Sequence, residues 1–230
     1  LLEPLVKADL RSMIFASGEI PETNNPFENA TILQPSLFAL EYSLAKTLMD
    51  FGIRPAALVG HSIGEYTAAC VSGVVSLKDA LFLVSARAQL IEKTPPGAML
   101  SVNMSQQDAE RMVESIPDLV LGVINSPHDM VFSGTQEAIE HAESSLKGLE
   151  IMHRRVHVYR AFHSPMMQYA ADELIQKARE VSLKKGAIPL ASNLTGKWLE
   201  DAQATSPEYW GDHMRQTVRF AENISTILDK

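Results

Sequence analysis

One serine lies in the pattern that a catalytic nucleophile needs. The run Gly60-His61-Ser62-Ile63-Gly64 follows a short apolar segment, residues 56–59, and precedes a stretch of small residues, 66–71. A strand, a turn and a helix in this order are typical of the G-x-S-x-G nucleophile elbow, in which the serine hydroxyl is exposed above a sheet. The pattern predicts Ser62 as a nucleophile and the amide of Ile63 as an oxyanion donor. The alternative is a structural serine in a turn.

A serine hydroxyl needs a general base, and the sequence offers seven histidines. His163 is favoured because it directly precedes Ser164, a predicted helix cap, and helix amides disfavour protonation of an imidazole. The alternative is that His163 is an ordinary loop residue. His61 is expected to line the site rather than to act as the base. Four further histidines have no chemical pattern around them and are interpreted as surface residues: His128, His141, His153 and His157. The spacing of the histidines and the cysteine does not indicate a metal site.

Arg87 is placed where a charge should not be. It falls within the apolar stripe of a helix predicted from Ser76, among Leu77, Ala80, Leu81, Val84, Ala88 and Ile91. A buried charge costs several kcal/mol unless it is paired. Arg87 is therefore expected either to pair with an internal acid or to face a cavity and bind a carboxylate, which its planar fork can hold in two places.

Composition limits the classes of function. The chain has 230 residues, a formal net charge of −8 and a single cysteine, Cys70. An acidic chain is a poor default binder of nucleic acid or anionic membranes. One cysteine cannot form an internal disulfide, so a reducing compartment is expected. The sequence has no apolar run near the roughly 18 residues that cross a bilayer and does not start with a signal-peptide pattern, so we predict a cytoplasmic protein.

The segment that begins at residue 98 has its own order of elements. Strands are predicted at 99–103, 119–124, 130–133 and 151–159, with helices at 105–116 and 135–149. The order βαββαβ is that of the ferredoxin-like split motif. We therefore predict an α/β fold in which residues 98–161 form a ferredoxin-like subdomain. It is inserted into a hydrolase-like parallel-sheet core made of residues 1–97 and 162–230.

The elements predicted for the core surround the serine. Strands are predicted at 56–59 and 188–192, and residues 17–29 are predicted to form a surface loop. Helices are predicted at 34–51, from 76 to 91, from 164 to about 181 and from Ser206. The first of these helices has an apolar stripe made of Leu37, Leu40, Leu44, Leu48 and Phe51, and Gly52 is its expected stop.

Several motifs together resemble one family. They are the elbow Gly60–Tyr66 followed by Arg87, the segment Gln34–Tyr42, the segments Asn125–Pro127 and Val131–Gly134, the run Ala161–Ser164 and the run Val218–Phe220. Their sequence and order resemble the malonyl-CoA:acyl-carrier-protein transacylases and, more closely, the acyltransferase domains of modular polyketide synthases.

The resemblance implies a role for each site residue. Ser62 would accept the acyl group, His163 would be its base, and Arg87 would hold the malonyl carboxylate. The family orients the histidine by a backbone carbonyl, here expected near residues 213–215, rather than by an acidic side chain. Further residues that the resemblance places at the substrate are Gln34, His61, Phe162 and His213.

Phe162 bears on the choice of acyl group. In this family, Ala-Phe-His at the catalytic histidine accompanies malonyl, whereas Tyr-Ala-Ser-His accompanies methylmalonyl. Here the run is Arg160-Ala161-Phe162-His163, with Arg160 where the malonyl form usually has histidine. A bulky Phe162 would crowd an α-methyl group, and one methyl is worth only about 1–3 kcal/mol.

The resemblance implies a malonyl transferase that works through a malonyl-serine ester. Its partners would be malonyl-CoA, an acyl carrier protein bearing phosphopantetheine, and neighbouring synthase domains; no bound cofactor or metal is expected. The family's Gly-Gln-Gly loop and Gly-Pro-Gly segment have no counterparts, so we expect a chain truncated at both ends, with an incomplete oxyanion hole. The alternatives are a serine hydrolase such as a thioesterase, and an inert fragment that binds a carrier protein.

Overall fold

The fold consists of eleven α-helices and one four-stranded sheet among the residues that the computed structural model describes, 2–15 and 25–229. Part of the predicted loop at 17–29 lies outside the described residues, and Pro26–Glu28 form a 3-10 turn. The elements in chain order are α1 Glu3–Val6, α2 Leu10–Ile14, α3 Ala30–Asp50, α4 Ile63–Ser72, α5 Leu77–Glu92, β1 Ala98–Asn103, α6 Gln106–Ser115, β2 Leu119–Ser126, β3 Asp129–Gly134, α7 Gln136–Gly148, β4 His153–Arg155, α8 Gln168–Ala178, α9 Asp201–Ala204, α10 Pro207–Arg215 and α11 Phe220–Leu228.

The antiparallel sheet carries the small lobe. Its strand order is β2-β3-β1-β4, and α6 and α7 pack on it through a separate hydrophobic cluster that includes Leu100, Phe132 and Ile139. Ser105 and Thr135 cap these two helices by accepting hydrogen bonds from backbone amides. The predicted fourth strand, 151–159, is too long. The amide of Val158 donates to the carbonyl of Val156, and this tight turn takes the chain away from β1.

The core is mainly helical around the serine. Helices α3, α4, α5, α8 and α10 pack together through one hydrophobic cluster with Trp210 and Tyr66 at its centre. Ser76 caps α5 as its spacing to Asp79 predicts. The helix predicted from 164 to 181 is instead a 3-10 turn, Pro165–Met167, followed by α8, which ends at Ala178.

The predicted parallel strands meet in a single bridge, Leu58 with Leu190. Pro189 has no N–H to extend the ladder on one side. On the other side, the backbone N–H of Asn193 donates to Glu65, and its side chain donates to the carbonyl of Gly60. A side-chain amide therefore replaces the backbone ladder at the point where the elbow begins.

Helix α3 is buried along its first half only. Its buried residues lie in its first half and include Gln34, Ser36 and Phe38. The predicted stripe is exposed in the second half, where Phe51 is 81% exposed, because no described element covers that face. Gly52 follows the helix with φ 93°, as the predicted stop requires. Even the 21-residue α3 is not apolar enough to cross a membrane, and neither is any other helix within the described part of the chain.

Candidate active site

The elbow around Ser62 has the sharp turn that its glycines predict. Ser62 has φ 50° and ψ −115°, an unusual conformation for a residue other than glycine, and α4 begins at the next residue. A Cβ on Gly60 would lie 2.1 Å from the carbonyl carbon of Gly64, so only glycine fits there. The turn leaves the Ser62 side chain half-buried at the N-terminus of α4.

The amide of Ile63 is available to an oxyanion. Ile63 is the first residue of α4, and its N–H has no acceptor among the residues that the structure describes. By contrast, the N–H of Ser62 donates to Oδ1 of Asn193 over 2.8 Å. The predicted donor is therefore the free one of these two neighbouring amides, and the positive end of α4 supports negative charge beside it.

Ser62 and His163 form a direct hydrogen bond. The Ser62 Oγ lies 2.8 Å from Nε2 of His163, and Nδ1 of His163 lies 3.1 Å from the carbonyl oxygen of Gln216. A carbonyl can only accept, so Nδ1 carries the proton and Nε2 is left to accept the serine proton. The orienting carbonyl belongs to Gln216, next to the segment 213–215 near which it was expected.

His163 is held neutral by its surroundings. Its side chain is buried, and this burial lowers the pKa of His163 well below the usual range, with the nearby charge of Arg87 as the next cause. Helix amides were the predicted reason, whereas the causes found are burial first and the charge of Arg87 second. A neutral imidazole near pH 7 is what a general base requires.

Arg87 is fully buried and points towards the serine. Its Nη2 lies 3.4 Å from Ser62 Oγ, and its Nη1 donates to Oε1 of Gln34 over 2.5 Å. Nε has no partner, and no carboxylate forms an ion pair with Arg87 among the described residues. The guanidinium also lies over the ring of Tyr66, 5.7 Å from its centroid. The first of the two predicted situations, pairing with an internal acid, therefore does not occur among the described residues, and the binding of a carboxylate by Arg87 stays a prediction.

The other predicted substrate residues are spread around this centre. Gln34 is buried and contacts Arg87, so it orients the guanidinium. His61 is exposed, and its Nε2 lies 2.9 Å from Oδ1 of Asn125 on β2, across the junction of the two lobes. Phe162 is half-buried and lines a cavity of about 510 Å³ together with Leu33. A smaller cavity of about 230 Å³ lies beside His163.

His213 lies on α10 and is buried. Its side chain has no exposed surface and lies behind His163, with 6.2 Å between the two ring centroids. Its Nε2 is 3.5 Å from Oε2 of Glu65, and its ring contacts Tyr66 and Trp210. The His213 side chain is therefore packed among His163 and residues of α4 and α10, and its contact with a substrate stays a prediction.

The structure adds two residues that sequence reasoning missed. Asn193 and Glu65 are both buried and hydrogen-bonded to each other beneath the elbow. The signal for Asn193 was its position, directly after a predicted parallel strand, where ligand and catalytic groups collect in α/β folds. As predicted, His128, His141 and His157 are exposed, and His153 is half-buried in β4.

Comparison with known proteins gives one family. The acyl transferase domain profile matches residues 18–230. The chain is 35% identical over 195 residues to a phenolphthiocerol/phthiocerol polyketide synthase protein of Mycobacterium tuberculosis, covering 85% of this chain and 13% of that protein. It is 34% identical over 231 residues to the polyketide synthase GfsA of Streptomyces halstedii, covering 96% of this chain and 3% of that protein.

Solved structures share the fold. The acyl transferase domain of SpnD, in complex with 2-(pent-4-yn-1-yl)malonyl, has a TM-score of 0.90 and 35% identity over all of this chain and 53% of its own. A malonyl CoA-acyl carrier protein transacylase from Burkholderia pseudomallei has a TM-score of 0.89 and 25% identity over 99% of this chain and 78% of its own. These likenesses confirm the predicted α/β fold, and with the profile match over residues 18–230 they show that this chain belongs to the family of acyl transferase domains.

Proposed function

We propose that this chain transfers a malonyl group from coenzyme A to the phosphopantetheine thiol of an acyl carrier protein, through an ester on Ser62. The observation that carries the proposal is the position of Arg87, a buried cation with spare donors 3.4 Å from a serine that is hydrogen-bonded to a neutral histidine. The family membership supports acyl transfer as the class of reaction. The chain spans only 13% of the mycobacterial synthase and 3% of GfsA. The transfer reaction, its substrate and its carrier-protein partner are therefore all part of the proposal.

The first half of the reaction acylates the serine. Nε2 of His163 takes the hydroxyl proton as Ser62 Oγ attacks the thioester carbonyl, and the N–H of Ile63 stabilises the oxyanion. When the tetrahedral intermediate collapses, the carbon–sulfur bond breaks and the proton on His163 passes to the departing thiolate of coenzyme A. The ester on Ser62 and free coenzyme A are the products of this half.

The second half reverses the same steps with a different thiol. His163 takes the proton of the carrier-protein phosphopantetheine, and the sulfur attacks the ester carbonyl. The oxyanion again forms at Ile63, the ester bond to Ser62 breaks, and the serine oxygen recovers its proton from His163. One base therefore serves both halves, and the proposal uses no cofactor bound to this chain.

Arg87 explains why the acyl group would carry a carboxylate. Among the residues with described positions, Nε has no partner and Nη2 has only a long contact with Ser62 Oγ, so the edge of the guanidinium that carries these two nitrogens is available. That edge can bind both oxygens of a carboxylate. A malonyl group on Ser62 extends a carboxylate only two bonds beyond the ester carbonyl, which suits a cation this close to Oγ.

Phe162 supports malonyl over methylmalonyl. Its ring packs against both the core cluster and the small cluster at the lobe junction, and its carbonyl oxygen accepts a hydrogen bond from Ser133. A side chain fixed at this position, next to His163, leaves less room for an α-methyl group.

The proposal also places the chain in the cytoplasm, because one free cysteine suits a reducing compartment.

The experiment that tests the proposal is acylation by a mixture of acyl-CoAs. We expect mass spectrometry to show malonyl as the retained group, on the peptide that contains Ser62, and to show its release when a phosphopantetheine-loaded carrier protein is added. Ser62→Ala is the control and should retain nothing. Retention of a neutral acyl group in preference to malonyl would contradict the proposed substrate, and the absence of any adduct would contradict the enzyme assignment.

A further inference from the structure

The backbone of the elbow is held from below by one buried side chain. Oδ1 of Asn193 accepts a hydrogen bond from the N–H of Ser62 over 2.8 Å, and Nδ2 of Asn193 donates to the carbonyl of Gly60 over 2.7 Å. These two backbone groups lie on either side of His61, at the start of the sharp turn. One amide therefore connects both sides of the turn, and Asn193 itself is only 1% exposed.

Asn193 is in turn fixed by a buried polar network. Its own N–H donates to Oε2 of Glu65 over 2.7 Å, and its carbonyl accepts a hydrogen bond from the N–H of Arg219 over 2.9 Å. The other carboxylate oxygen of Glu65 accepts a hydrogen bond from Tyr209. Burial raises the pKa of Tyr209, so its hydroxyl stays protonated and keeps donating. Glu65 belongs to α4, so this network joins the helix after the serine to the segment beneath it.

This arrangement matters because the elbow is a conformation that Ser62 does not favour. A positive φ on a residue other than glycine persists only where the surroundings impose it. Helix α4 fixes the chain after the serine, but on the other side the parallel ladder ends at Leu58. Asn193 supplies the missing hydrogen bonds between Leu58 and α4.

We propose that Asn193 is a positioning residue that sets the attack geometry of Ser62, and that it also leaves the Ile63 amide as the oxyanion donor by occupying the N–H of Ser62. This inference rests on the proposed function only in that Ser62 is the nucleophile. It does not depend on which acyl group is transferred. Asn193 touches no substrate and acts through the backbone of the elbow.

The first test measures the reactivity of Ser62 with a fluorophosphonate, which reports on an activated serine without any acyl-CoA. We expect Asn193→Ala to slow labelling of Ser62 by about 10–100-fold, because small displacements of a reacting group cost about that much. Asn223→Ala is the matched control. Asn223 is also fully buried, and its side chain has no hydrogen-bond partner among the described residues, so its removal should leave the labelling rate within about twofold.

A second variant separates positioning from a merely structural role. Asn193→Asp keeps the acceptor for Ser62, and it can donate to the carbonyl of Gly60 only when its carboxyl is protonated. Burial and the neighbouring carboxylate of Glu65 favour the protonated form, and the other groups around this position are the hydroxyl of Tyr209 and the imidazole of His213. We expect its labelling rate, relative to the unsubstituted protein, to rise at least tenfold as the pH falls from 8 to 5.

The two sets of results distinguish this inference from the proposed function. Labelling of Asn193→Ala at an unchanged rate would overturn the inference, and so would a pH-independent rate ratio for Asn193→Asp. If Asn193→Ala does not unfold cooperatively in a thermal scan, the pH series of Asn193→Asp decides alone. A protein that labels normally but never retains malonyl would contradict the proposed substrate and leave the role of Asn193 intact. An unsubstituted protein that does not label would overturn both.

Discussion

At the scale of single residues, the site is a serine, a histidine and an arginine, and no acidic side chain within the described ranges joins them. Gln216 orients His163 through a backbone carbonyl, which holds the tautomer without adding a negative charge. A carboxylate in that place would raise the pKa of His163 and would also compete for Arg87. The uncompensated cation is therefore consistent with a site that receives its negative charge from the substrate.

Removing the cation should change substrate choice more than it changes reactivity. We expect Arg87→Ala to reduce malonyl transfer by about 10²–10³-fold, because a charge-assisted bidentate contact of roughly 3–4 kcal/mol is lost. Hydrolysis of a neutral acyl ester should be retained or raised. The measurement is acyl transfer and ester hydrolysis on the same preparation. An equal loss of both activities would favour a structural role for Arg87 and would keep the hydrolase alternative open.

The rate of acylation should begin to fall only at a pH below the usual pKa of histidine. The pKa of His163 is lowered in the folded protein, so the base is deprotonated throughout the neutral range and the rate should fall only in more acidic solution. Arg87→Gln removes a positive charge that contributes to this lowering, so the acid limb should move to higher pH. Fluorophosphonate labelling of the unsubstituted protein and of Arg87→Gln, each over a pH series, measures the acid limb of both proteins. A limb that does not move, or moves to lower pH, would contradict this account of the electrostatics.

At the scale of elements, the site depends on how a loop enters α4. The helix places the Ile63 amide, Gly60 provides the space for the turn, and Asn193 bonds to both sides of it. The long helix α3 contributes only its first half, where Gln34 reaches Arg87. Its apolar second half is exposed, because helical spacing alone does not say which apolar face has a neighbour.

Adding one carbon at Gly60 should prevent the elbow from forming. Gly60→Ala would place its Cβ 2.1 Å from the backbone of Gly64, and backbone atoms cannot move aside as a flexible side chain can. We expect a loss of about 3 kcal/mol or more in the free energy of unfolding, together with loss of Ser62 labelling. Denaturant unfolding measures the first effect. Gly148→Ala, at the end of α7 with nothing within 4 Å, is the control and should change stability by less than about 1 kcal/mol.

At the scale of the whole molecule, the small lobe helps to hold the general base. Ser133 on β3 donates to the carbonyl of Phe162 over 2.6 Å, just before His163. Val218 bridges to Val123 on β2, and Thr217 donates to the carbonyl of Leu121 over 2.7 Å. The chain on both sides of the contact between His163 and Gln216 is therefore bonded to the same sheet.

Removing a hydrogen bond at this junction should reduce the reactivity of Ser62 more than it reduces the stability of the fold. We expect Ser133→Ala to lower the free energy of unfolding by about 1–2 kcal/mol, since one buried hydrogen bond is lost. Ser62 labelling should slow several-fold, because the segment before His163 is released. Ser145→Ala, which removes an exposed hydroxyl bonded only within α7, is the control for both measurements. If the two variants label at the same rate, the small lobe has no part in positioning His163.

The predictions from sequence were most accurate where the chemistry is local. The elbow, the cap at Ser105 and the order of the small-lobe strands each depend on neighbouring residues, and the structure shows all of them. The burial of His213 has no local signal, because it depends on α4, which is far away in sequence. For Asn193 the only local signal was its position after a predicted strand, because its partners Gly60 and Ser62 lie more than 130 residues away.

The sequence by itself determined the nucleophile motif, the unusual charge at Arg87 and the family, because each is written in short runs of residue types. The tertiary structure alone decided that Arg87 meets no acidic partner in the described part of the chain, that Gln216 orients His163 and that Asn193 hydrogen-bonds to both sides of the elbow. The reason is physical. Residue types set which hydrogen bonds and charges are available, but only packing between distant segments decides which of them are satisfied from within and which are left for a substrate.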